Sequence, residues 1–103
     1  MYNKQMGNKN VGNQTMGNKE LERIFKALAN QRRLSIVSFL KKRKEATVGD
    51  IAEKIKLSFR STSKHLGVLS MAGILEREQR SVQMYYRVAS DIPAPARTIL
   101  FVV

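Results

Sequence analysis

The sequence predicts a mainly α domain whose helices are followed by one small β hairpin. Three observations lead there. Apolar residues recur at helical spacing in four successive segments between Lys19 and Gly73, cap residues punctuate those segments, and an alternating run from Val82 to Val88 follows them.

The first helix starts near Lys19, where Leu21, Ile24, Phe25 and Leu28 take up helical spacing and Glu20 and Glu22 place negative charge near the N-terminal end of the dipole. Asn30 breaks or caps the chain, and Leu34, Ile36, Val37, Phe39 and Leu40 then define a second helix from about Gln31 to Lys42. The basic run Lys41-Lys42-Arg43-Lys44 at its end suits either phosphate contact or a solvated helix terminus, where cations are favoured. Thr47 followed by Asp50 resembles a capping box and opens a short third helix through Ile51, Ala52 and Ile55. Lys56 and Leu57 form a tight connection to the fourth helix, which has Ser58 as N-cap and Gly73 at the left-handed C-terminal position.

That fourth helix is the informative one. Thr62, Leu66 and Leu69 form an inward stripe flanked by Val68 and Ala72, while its leading turns present Arg60, Ser61, Ser63 and Lys64. Serines and cations beside a helix N-terminus can donate to phosphates and base edges. Two short helices joined by a tight turn, the second with a polar and basic leading face, make a helix-turn-helix. Beyond Gly73, a hairpin runs from Ile74 through Glu76 to Gln79, turns at Arg80-Ser81 and returns with Val82, Met84, Tyr86 and Val88 half-buried.

Composition narrows the function. The 103-residue chain has room for one compact domain and no separate effector domain. Its formal charge of +11 makes nucleic acid the leading partner class and predicts salt-dependent binding. The absence of cysteine removes disulfides, thiolate ligands and thiol nucleophiles, and the single histidine, His65, has no companion for acid–base chemistry, so no enzyme is expected. No apolar run reaches the length of a membrane span and the N-terminus lacks a signal-peptide core, which predicts a soluble cytoplasmic protein without membrane contact. Residues 1–18 carry a degenerate repeat (QMGNK, NVGNQ, TMGNK) without acidic residues and read as a flexible arm, whose Lys4 and Lys9, with Lys19 after it, could brush a DNA backbone.

Several separated blocks also resemble one family. Leu28-Ala29-Asn30-Gln31-Arg32-Arg33-Leu34-Ser35-Ile36 is similar to the "L-A-x-x-x-R-L-x-I" opening of the ArsR/SmtB-type repressors. Leu57-Ser58, Thr62 to Leu66, Leu69 and Ala72 to Leu75 resemble that family's recognition-helix signature, and Met84-Tyr85-Tyr86-Arg87-Val88 resembles the end of its wing. The blocks span about residues 21–90 in the family's order and spacing.

The resemblance implies a winged helix-turn-helix over residues 19–90 and a homodimeric transcription repressor on a palindromic operator. Its half-sites would lie about one helical turn, roughly 34 Å, apart. It puts Arg60, Ser61, Ser63, Lys64 and His65 on the DNA side of the recognition helix, with His65 packing or bonding near the phosphates, and Arg77, Arg80 and Gln83 on the wing. Arg33 matches the family's second-helix arginine, which either joins the DNA-facing set or orders the turn by pairing with an acid. Dimerisation is expected through Leu21, Ile24, Phe25 and Leu28 of the first helix and Ile99, Leu100 and Phe101 of residues 91–103. There Ile92-Pro93-Ala94-Pro95 precedes an apolar run that suits a short helix or a strand.

Metal-sensing members carry a Cys-x-Cys box in the third helix or His and acidic ligands in the last. Thr47 to Ile51 has no cysteine, and Asp50, Glu53 and Asp91 are too few and dispersed for a closed site, so neither metal nor other cofactor is expected. The competing expectation is a winged-helix interaction module that binds nucleic acid without reading sequence or assembles with protein partners.

Overall fold

A computed structural model describes residues 16–103; of the arm expected over 1–18, residues 1–15, with Lys4 and Lys9, lie outside the described residues. The elements are α1 (Asn18–Leu28), α2 (Gln31–Arg43), β1 (Ala46–Thr47), α3 (Val48–Ile55), α4 (Phe59–Met71), β2 (Leu75–Arg80), β3 (Gln83–Val88) and α5 (Ala94–Val102). The strands form one antiparallel sheet in the order β1-β3-β2.

Local chemistry sets most boundaries. The Asn30 side chain accepts a hydrogen bond from the Arg33 amide at 3.1 Å and starts α2. Thr47 and Asp50 form a reciprocal capping box, the Thr47 hydroxyl accepting from the Asp50 amide and the Asp50 carboxylate from the Thr47 amide. Lys56 adopts the left-handed conformation (φ 58°) and turns the chain sharply from α3 into α4. Ser58 caps α4 by accepting from the Ser61 amide at 3.1 Å. Gly73, at φ 78°, ends that segment in a conformation that costs a residue with a Cβ roughly 1–2 kcal/mol.

The core forms where the helices close over the sheet: Ile24, Ile36, Val37, Leu40, Ile51, Leu66, Leu69 and Ile74 are fully buried, and Tyr86 and Leu75 cover the sheet side. Two dimerisation expectations are corrected here. Ile24 and Leu28 are buried in the protomer's own core, because α1 turns that stripe towards α2 and α4, which leaves Leu21 and Phe25 on its outer side. Val68 is also corrected: it is 41% exposed, since α4 packs along the narrower stripe of Thr62, Leu66 and Leu69.

Residues 94–102 form a helix rather than a strand, with Pro95 in the first turn, where the missing amide hydrogen leaves no bond unmade. The basic run ending α2 serves this architecture. Lys41 donates to the Leu100 and Val103 carbonyls at the end of α5, and Arg43 pairs with Asp50 at 3.2 Å.

Thr62 is fully buried and its hydroxyl has no partner among the described residues. An unsatisfied buried hydroxyl destabilises, and valine has nearly the same shape. Thr62→Val is therefore expected to raise stability by about 1 kcal/mol, read as a higher urea midpoint with an unchanged slope.

Candidate nucleic-acid interface

The turn at Lys56 and the Ser58 cap aim the start of α4 outward, and its first turns carry Arg60 and Lys64 exposed with Ser61 and Ser63 half-exposed. Neither Arg60 nor Lys64 has an ion-pair partner among the described residues, so both charges are free to meet an anion. The stripe of Thr62, Leu66 and Leu69 behind them is fully buried and holds the helix against the core.

Arg33 and His65, both half-buried, form a joint between the end of α1 and the middle of α4. Arg33 donates from Nε to the Ala27 carbonyl at 2.6 Å, from Nη2 to the Lys26 carbonyl at 3.2 Å and from Nη1 to His65 Nδ1 at 3.1 Å. Its partners are carbonyls and an imidazole, neither the acid that was one of the two expectations for this residue nor an open surface. A guanidinium can only donate, so Nδ1 accepts and the imidazole is neutral with its proton on Nε2. That hydrogen remains a donor for a phosphate.

Partial burial, then the nearby charges of Arg33 and Arg32, hold the His65 pKa below its ordinary 6.5. The unfolded chain therefore binds this proton more readily than the folded one. The contribution to stability is present above pH 6.5 and is lost as the pH falls from there through the lower folded value. The urea midpoint is expected to drop between pH 7.5 and 5, and His65→Gln should flatten that part of the profile. Glu45 and Glu78, both lowered from 4.5, chiefly by hydrogen bonds from Arg80, lose their contributions at lower pH, so the two effects separate.

On the wing the structure divides the expected residues. Strand register pairs Arg80 with Gln83, and Glu78 with Tyr85, on one face, and puts Arg77 opposite Tyr86 on the other. Arg80 is held by Glu45 at 2.7 and 2.8 Å and by Glu78 at 3.0 Å, over the Tyr85 ring at 4.4 Å, and Arg87 bridges Glu76 and Glu78. Gln83 accepts from the Tyr85 hydroxyl at 3.3 Å. Arg77 is exposed and free of ion pairs among the described residues. Val82, expected half-buried, is 90% exposed because it and Ser81 (φ 57°) form the turn beyond the last strand pair.

Of the expected dimer residues, Leu21, Ile99 and Leu100 are half-buried, while Phe25 and Phe101 are exposed at 52% and 86% on α1 and α5, which pack together. No group of three or more His, Cys, Asp or Glu is placed to hold a metal among the described residues, and no helix there is long and apolar enough to cross a membrane.

A helix-turn-helix backed by a core helix and flanked by a charged hairpin is shared with known proteins. The pattern for bacterial regulatory proteins of the arsR family matches residues 30–77. The transcriptional repressor SdpR of Bacillus subtilis is 31% identical over 72 residues, 70% of this chain and 79% of that protein. The chain belongs to the ArsR family. The arsenical resistance operon repressor of Escherichia coli is 34% identical over 77 residues, 75% of this ArsR-family chain and 66% of the repressor. The match to the biofilm growth-associated repressor of Agrobacterium fabrum spans 61% of that protein. Among solved structures, the homodimeric winged helix-turn-helix DNA-binding domain Mb0332 of Mycobacterium bovis superimposes with a TM-score of 0.72 at 32% identity, covering 82% of this chain and 75% of that one. The fold of this ArsR-family chain is the winged helix-turn-helix, with α3 and α4 as its two helices and β2–β3 as the wing.

Sequence reasoning missed Phe59, the first residue of α4, which is 63% exposed. A large aromatic residue immediately after an N-cap was the signal available.

Proposed function

We propose that the protein is a homodimeric transcription repressor that reads a palindromic operator with the leading turns of α4. Arg60, Ser61, Ser63 and Lys64 make the base and phosphate contacts, and His65 donates from Nε2 to the backbone. Arg77 supports the wing contact, and Arg80 and Gln83 join it where DNA competes for their present partners. The observation that carries this reading is the unpaired, outward-facing Arg60–Lys64 surface at the capped start of a helix anchored by a fully buried stripe. The names of the ArsR-family relatives as repressors support it, as does the homodimeric neighbour. Its work is binding rather than catalysis, without a metal cofactor, in the cytoplasm where bacterial DNA lies.

In this reading Leu21, Phe25, Ile99, Leu100 and Phe101 supply the dimer face, and a twofold dimer sets half-sites about one helical turn apart. Selection of bound duplexes from a random library at fixed salt tests it. A palindromic consensus bound as a dimer, with affinity falling steeply as salt rises, is expected. Equal binding to all duplexes would favour the non-specific interaction module and overturn the repressor reading.

A further inference from the structure

Phe59 does not stand alone. It lines a cleft of about 320 Å³ where the starts of α3 and α4 meet the wing tip, together with Thr47, Val48, Val82, Gln83 and Met84. Phe59 and Val82 are 63% and 90% exposed, so two apolar side chains line a cleft that no other described residue fills. The surroundings are cationic: Arg60 follows Phe59 directly and Lys64 lies about one turn further on, both unpaired among the described residues. The charge selects a polyanion while the walls select an apolar group. In the major groove the group with both properties is the C5-methyl of thymine, borne on a phosphate-flanked strand.

We infer that Phe59, in the cleft it shares with Val82, reads the C5-methyl group of a thymine in each half-site. The inference rests on the proposed DNA-reading role of α4 and adds to it a specificity-determining contact made by packing rather than by hydrogen bonding. The methyl enters the cleft edge and is removed from water against the Phe59 ring, and cytosine, with no methyl at C5, leaves the ring exposed.

The test uses the full chain and the duplex selected above, with each thymine replaced in turn by deoxyuridine, which removes the methyl and keeps the pairing. Wild-type protein is expected to lose about fourfold in affinity at one thymine position per half-site, the factor that corresponds to one methyl group withdrawn from water. Phe59→Ala should bind the thymine and uracil duplexes equally, while Phe59→Leu, which keeps an apolar surface, should retain part of the preference. Phe59 is exposed, so the variants should keep the wild-type circular dichroism spectrum. Equal wild-type binding to every uracil duplex overturns the inference. So does an undiminished thymine preference in Phe59→Ala, the outcome in which every duplex is weakened by the same factor relative to wild type and the ring packs on sugar instead. A selection that enriches no sequence overturns the repressor reading and this inference together, whereas enrichment followed by thymine–uracil equivalence removes the inference alone.

Discussion

Replacing Arg60 and Lys64 together by alanine is expected to weaken binding to the selected duplex on the order of a hundredfold or more, with circular dichroism and urea midpoint unchanged. Both side chains are exposed and unpaired among the described residues, so their loss leaves no buried group without a partner. Each is lost twice in a dimer. A base contact contributes about 1–3 kcal/mol, and each lost phosphate contact reduces the slope of log affinity against log salt by about 0.9. Titrations at several salt concentrations separate these roles: a slope change without relaxed sequence preference marks a phosphate contact, and relaxed preference marks a base contact. Unchanged operator affinity in the double variant would show that α4 is not the reading surface.

The second large effect is expected from Phe25→Glu combined with Phe101→Glu. Phe25 is the most exposed large apolar residue of α1 and Phe101 that of α5, helices that pack together, and neither contributes to the buried core. In a dimer each ring would withdraw from water with roughly 1.5–3 kcal/mol of benefit, and a glutamate there would have to be buried or kept apart. The variant should sediment as a folded monomer at micromolar concentration. Operator affinity should then fall by about 10²–10⁴, because the second half-site no longer benefits from the high effective concentration that linkage supplies. A variant that remains dimeric would place the interface elsewhere on the molecule.

What was legible in the sequence was local. The Thr47–Asp50 box, the Ser58 cap, the Asn30 cap and the left-handed Gly73 depend on residues no more than three positions apart or on one residue's own backbone, and each stands where the sequence puts it. The inward stripe of α4 was legible for the same reason, apart from Val68 at its margin. Pairings distant along the chain were not. The two-residue strand β1 exists only because Ala46 and Thr47 meet Tyr86 and Tyr85, and no pattern in two residues announces that. Arg80 reads as a free wing cation until Glu45, thirty-five positions earlier, arrives beside it. Periodicity in α1 marked Ile24, Leu28, Leu21 and Phe25 as apolar without saying which of them face the protomer's own core. At the candidate site the cations were legible because charge at a helix start is conspicuous. Phe59 was not, because the cleft it lines is completed by Val82, Gln83 and Met84, more than twenty positions away.

The Arg33 joint gives the protein a mechanical property. One guanidinium grips two carbonyls at the end of α1 and the imidazole in the middle of α4, so the helix on the proposed partner side and the helix on the proposed operator side, already packed in one core, are also tied by directional bonds. A tilt of α1 against a second subunit would carry α4 with it like an arm on a hinge pin, changing the spacing of two paired reading heads without any movement inside either head. A signal that loosens or twists the α1–α5 seam would then release the operator from a distance, with the Arg33 bonds adding to the stiffness that the shared core supplies.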